Sequence, residues 1–68
     1  MALTYYTIKQ AIWGRDNAET YCFRSREDAD HYYDTHDHCD APVAHRVTSL
    51  LLIARYERMA AGTDEAMQ

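Results

Sequence analysis

The run Leu3-Thr4-Tyr5-Tyr6-Thr7-Ile8-Lys9-Gln10-Ala11-Ile12-Trp13 decides the fold. It is rich in β-branched and aromatic residues and alternates with a period of two, the pattern of a strand with one face turned inward. Tyr6, Ile8 and Ile12 share one face, and Tyr5, Thr7, Lys9, Ala11 and Trp13 share the other. Gly14-Arg15-Asp16-Asn17 carries turn chemistry, and a second alternating run from Glu19 to Arg24 puts Tyr21 and Phe23 together. The simplest arrangement is an antiparallel hairpin with Tyr6, Ile8, Ile12, Tyr21 and Phe23 facing the core.

Downstream of the hairpin, Ser25-Arg26-Glu27-Asp28 predicts the start of a helix: a hydroxyl at the N-cap, then acids in the first turn, where the helix dipole favours them. Ala29, Tyr32, Tyr33 and His36 follow at i, i+3, i+4 and i+7, one apolar stripe. The helix is expected to fray by His38, because Asp40-Ala41-Pro42 is a poor place to continue one. Val43, His45 and Val47 then alternate with Ala44, Arg46 and Thr48 as a short third strand. Ser49 can cap a last helix through Ala61, with Leu52, Ile53, Tyr56, Met59 and Ala60 as its stripe and Gly62 as its stop. A competing reading extends the third strand to Ile53. The helix is preferred, which gives an α+β chain of order ββαβα: a small sandwich of a three-stranded, mostly antiparallel sheet with both helices on one face. Residues 1–62 form a single domain in this reading, and 63–68 a flexible C-terminal tail.

The chain is 68 residues long and 47% hydrophobic, but much of that fraction is Ala and its six Tyr, with few large aliphatic residues. Five tyrosines, Tyr6, Tyr21, Tyr32, Tyr33 and Tyr56, fall on predicted inward faces and substitute for missing Leu and Val. A phenol reaches for a polar partner at the rim of a core, so the core should be shallow, and support from a dimer or a bound partner is expected. The composition excludes a membrane span, a collagen, a disulfide-dense scaffold and a basic nucleic-acid tail. No basic segment precedes an apolar one at the N-terminus, and the aliphatic run Leu50 to Ile53 falls far short of the about 18 residues a span needs, so a cytoplasmic protein is expected. Cys22 and Cys39 form no CxxC pair; two reduced thiols are expected, with a bridge between them left open by the sequence.

The net charge of −4 is unevenly distributed. The segment from Glu27 to Asp40 holds six acids and no Lys or Arg, so it carries −6 against +2 for the remainder. If the helix persists, Glu27, Asp30, Asp34 and Asp37 lie within about 80° of one another, opposite the apolar stripe. Any solvated helix face can carry charge, but like charges without an i,i+4 base repel one another. This ridge is the first candidate site, a surface complementary to a basic partner protein. The alternative site is a sheet face bearing Tyr5, Lys9, Trp13, Arg24 and Arg46, whose aromatics and bases could stack nucleobases and hold phosphates; Tyr5 and Trp13 could equally form a dimer interface.

A third reading is metal binding. His31, Asp34 and His38 would project within about 60° of one another on a continuous helix, and imidazole with carboxylate suits Zn, Ni or Cu. Their spacing matches no zinc-finger or HExxH pattern, and no dedicated metal or cofactor is expected. His45, on the inward face of the third strand, reads as a hydrogen-bonded residue at the edge of the core. No nucleophile elbow and no phosphate-cradling glycine loop is present, so the chain is read as non-enzymatic.

In size, acidity and its tyrosine-rich hairpin–helix–strand order, the chain resembles accessory proteins of phages and other mobile elements, among them anti-CRISPR and other anti-defence inhibitors. That resemblance implies a protein that occludes the nucleic-acid site of a host protein. It assigns no individual residue.

Overall fold

A computed structural model describes residues 2–12 and 18–66. The chain forms β1 (Leu3–Ala11), β2 (Ala18–Phe23), α1 (Arg26–Thr35), β3 (Val43–Val47) and α2 (Leu50–Ala66). The strands make one sheet of order β2-β1-β3, antiparallel throughout. The α+β class, the ββαβα order and the antiparallel sheet are therefore those the sequence implies. Trp13 and the expected turn at Gly14-Arg15-Asp16-Asn17 lie outside the described residues.

The hairpin register explains the inward set. Tyr6 stands opposite Phe23 and Ile8 opposite Tyr21, so these four share a face. Ile8 and Phe23 are buried there with Ala29 and Tyr32 of α1, and Tyr6, Tyr21 and Cys39 pack around them. Ile12, just past the end of β1, is half-buried. The opposite face is not left to solvent. Tyr5, Cys22 and Val47 are buried on it with Ala60 of α2, and Ile53, Tyr56 and Met59 close over them. The expectation of both helices on one face is corrected accordingly: α1 covers one side of the sheet and α2 the other. The physical reason is that β1 and β2 carry apolar residues at both parities, Tyr5 and Cys22 as well as Tyr6, Ile8, Tyr21 and Phe23. One helix can bury only one face of such a sheet.

Local chemistry sets the helix ends. Ser25, in extended conformation, accepts the Asp28 N–H on its hydroxyl at 3.1 Å, the N-cap its position implies. At the other end of α1 the His36 N–H donates to the Tyr32 carbonyl and the backbone turns extended. Tyr33, expected in the inward stripe, is instead 42% exposed, because the sheet is narrow and Ala29 with Tyr32 already fills the contact. Beyond α1 the chain returns along β1. The Ala11 N–H donates to the His38 carbonyl at 3.0 Å and the Asp40 N–H to the Lys9 carbonyl at 2.8 Å, with Gln10 and Cys39 bridged. His38 takes a left-handed φ of 64° at this turn. Ala41 and Pro42 then lie outside the ladder, as suits a residue with no N–H to donate, before β3 pairs Val43 with Thr7 and Val47 with Leu3.

The preferred helical reading after β3 holds. The Ser49 carbonyl accepts the Ile53 N–H at 2.9 Å, and α2 runs from Leu50. Ile53, Tyr56, Met59 and Ala60 face the sheet as expected, whereas Leu52 is 45% exposed. Gly62 does not stop the helix, and residues 63–66 are not a tail: α2 continues to Ala66 and Thr63 is buried. One glycine inside a helix costs about 1 kcal/mol. Thr63 and Asp64 offset that by tying the last turns to β2. Thr63 Oγ1 donates to the Met59 carbonyl and accepts the Cys22 N–H, and Asp64 pairs with Arg24.

Candidate functional site

The acids between Glu27 and Asp40 are all exposed. Glu27, Asp30 and Asp34 lie on α1, whose buried residues, Ala29 and Tyr32, hold it against the sheet. Asp37 does not belong to the same helical face, because α1 ends at Thr35; it follows the helix, and its carbonyl accepts from Gln10 Nε2. The ridge is also less bare than its composition implies. Arg26 Nε stands 3.7 Å from Asp30 Oδ2, an i,i+4 pair with both side chains largely exposed. Such a pair contributes at most about 1 kcal/mol, and no base occupies the last turn of α1. Glu27, Asp34 and Asp37 make no ion pair among the described residues.

The metal candidates separate. His31 and Asp34 are on α1, but His38 lies past its end in the left-handed turn. Among the described residues no group of three or more His, Cys, Asp or Glu converges as a metal site would require. His36 serves packing and capping: its ring stacks on Tyr32 at 3.8 Å and 9°, and its Nδ1 lies 3.1 Å from the Tyr32 carbonyl. The Tyr32 hydroxyl donates to Gln10 Oε1. Burial, with Tyr21 and Cys39 adding to it, pushes that phenol up to about 12.

The basic–aromatic face does not assemble. Tyr5 is buried beneath α2, its ring stacked on Tyr56 at 5.3 Å. Its phenol is raised by burial first and by neighbouring Glu57 second. Arg24 is held by α2: its Nε donates to Glu57 at 2.9 Å and its Nη1 to Asp64 at 2.7 Å, which together raise its pKa. Arg46 stands opposite Thr4, at the parity of the α1 face, whereas Lys9 stands opposite Thr20, at the parity of the α2 face. An open sheet face of Tyr5, Lys9, Arg24 and Arg46 is therefore absent, because α2 takes the place a nucleic acid would occupy. Trp13, the fifth residue of that set, lies outside the described residues.

Sequence reasoning missed a different grouping. On the α2 side, Leu52, Arg55, Tyr56 and Met59, spaced i, i+3, i+4 and i+7, overhang Thr7, Lys9, Thr20 and His45 of the sheet and leave a cleft of about 310 Å³. His45 is half-buried, as its position in β3 implies, with Nε2 2.7 Å from Thr7 Oγ1 and its ring stacked on Tyr56 at 5.5 Å. Both cysteines are free. Cys22 is buried under α2 and Cys39 packs on the α1 side, so the sheet separates them and the bridge left open by the sequence does not form. Burial raises both thiols, and Asp37 and Asp40 raise Cys39 further.

Among the described residues no helix is long and apolar enough to cross a membrane. No family model, no curated protein and no solved structure matches the chain.

Proposed function

We infer that the protein is a non-enzymatic binding module whose acidic α1 face docks on the basic surface of a partner protein. One contrast carries the reading. The arginine beside the sheet, Arg24, is tied by two carboxylates of α2, while α1 presents exposed acids with, among the described residues, a single long ion pair, Arg26–Asp30, as compensation. Beyond the dipole's favour for the first-turn acids and the Arg26–Asp30 pair, the exposed like charges of α1 repel one another. They gain attraction only from a positive partner, where complementary fields speed encounter and fix orientation.

The finer form of the proposal is a partner that handles nucleic acid, since a surface built to hold phosphates is basic. An inhibitor carried by a phage or mobile element and acting on a host defence protein belongs to that class. Its support is the resemblance in size, charge and element order stated above, together with the acidic helix. Cytoplasmic action follows from the same proposal.

The test compares the wild-type chain with Asp30→Lys/Asp34→Lys, each immobilised and exposed to lysate of the source cell. A retained basic protein that elutes with rising salt and is lost by the double variant, at an unchanged melting curve, supports the proposal. Equal retention by both chains contradicts it.

A further inference from the structure

The cleft between α2 and the sheet faces away from the acidic helix, and its chemistry is opposite. Among the described residues, two side chains of fixed positive charge, Lys9 and Arg55, line it, and no carboxylate does. Both are exposed, and neither makes an ion pair among the described residues. In a chain where acids outnumber bases eleven to seven, and where Arg24 and Arg26 are both paired, two free cations over one recess are an unneutralised positive field. The floor adds hydrogen-bonding groups, the hydroxyls of Thr7 and Thr20 and the His45 ring, whose Nε2 is engaged by Thr7. Leu52 and Met59 supply an apolar wall on the helix side.

We propose that this cleft binds a small phosphomonoester, with the phosphate between Lys9 and Arg55 and the organic body against Leu52 and Met59. A guanidinium and an ammonium on separate elements suit the several oxygens of a phosphate dianion, Arg through its fork and Lys as a point charge. The apolar wall distinguishes an ester from the free ion. A volume of about 310 Å³ sits at the small end of ligand clefts and suits a ligand with a single ring. The site and the acidic ridge lie on opposite sides of the sheet, so this inference stands independently of the docking proposal.

The test is a titration of the isotopically labelled full chain with phenyl phosphate, inorganic phosphate and phenol, followed by amide chemical shifts. Phenyl phosphate is expected to give saturable shifts at Thr7, Lys9, Thr20 and His45, at least tenfold tighter than either inorganic phosphate or phenol. Lys9→Gln/Arg55→Gln should weaken it at least tenfold with an unchanged melting temperature, and Arg55→Gln alone should shift it in the same direction. Asp30→Lys/Asp34→Lys should leave it unchanged. An absence of saturable shifts, shifts centred elsewhere, or equal affinity in the Lys9/Arg55 variants overturns the proposal. So does tighter binding of a single-stranded oligonucleotide lacking a terminal phosphate, which would make the cleft part of a nucleic-acid surface.

Discussion

Thr63 Oγ1, near the end of α2, accepts the backbone N–H of Cys22 in β2 at 3.0 Å, across 41 residues of sequence. β2 is an edge strand, and an edge strand presents unpaired amides to whatever approaches. The hydroxyl closes one of them and is itself satisfied by the Met59 carbonyl, so the last turns of α2 guard the sheet edge.

Thr63→Val keeps the shape and removes the acceptor. A buried amide left without a partner costs about 1–3 kcal/mol, which in a domain of this size lowers Tm by roughly 4–8 °C per kcal/mol. Thr63→Ser should restore most of the loss. A thermal melt of the two variants checks this; an unchanged Tm in the valine variant would show that the edge amide is not protected as described.

Gly62 gives the opposite expectation. It lies inside α2, and a Cβ built on it meets nothing within 4 Å. Gly62→Ala removes the entropic penalty of glycine and should raise stability by about 0.5–1 kcal/mol, read as a higher midpoint in urea at an unchanged slope. A destabilised variant would mean that the helix does not continue through this position.

The thiols should react in a fixed order. Cys39 is half-buried and Cys22 is almost fully buried, and both are raised by burial. An alkylating reagent at neutral pH should label Cys39 slowly and Cys22 only on global opening, with mass spectrometry locating the label. Cys22 reacting first would contradict the placement of α2.

Alkaline pH should weaken the fold through tyrosine. The phenol of Tyr32 rises from 10.0 to about 12 and that of Tyr5 rises as well, so the folded state keeps protons that the unfolded chain loses. The stabilisation is whole below the unfolded pKa and is lost as pH climbs from about 10 towards 12. Tyr32→Phe removes the titrating phenol along with its hydrogen bond to Gln10. Its stability should start lower near neutrality and fall less steeply over that window, followed by denaturation at stepped pH.

The hairpin, the Ser25 cap and the stripe of α2 were legible because each is a local pattern: alternation, a hydroxyl before acids, a 3.6-residue period. The second buried face was not. Thr7 and Lys9 share the parity of Tyr5, and their polarity makes that face read as solvent-exposed, whereas the actual signal was the unbroken run Tyr21-Cys22-Phe23, which belongs to a strand buried on both sides. Gly62 misled for a related reason, since glycine after an apolar stripe reads as a stop and the hydroxyl that carries the helix past it acts across 41 residues. The ridge was legible as composition. Its length was not, because the extended backbone at His36 removes Asp37 from the helix, and Arg26, lying just outside the acidic segment, supplies the base that reaches Asp30. The cleft needed the tertiary packing of α2 across the sheet, which no spacing in the chain encodes.

On the proposed function the acids of α1 serve a partner and not the fold. The most direct measurement takes Asp30→Asn/Asp34→Asn and reads stability and partner affinity side by side. Both residues are exposed, and Asp34 sits near the negative end of the helix dipole, where neutralisation favours the helix. We predict a Tm within about 4 °C of wild type or above it, equivalent to roughly 0.5 kcal/mol, together with at least a tenfold loss of affinity for the captured partner. A variant that melts well below the wild type while binding as tightly would show that the acids hold the fold together and that the docking surface lies elsewhere.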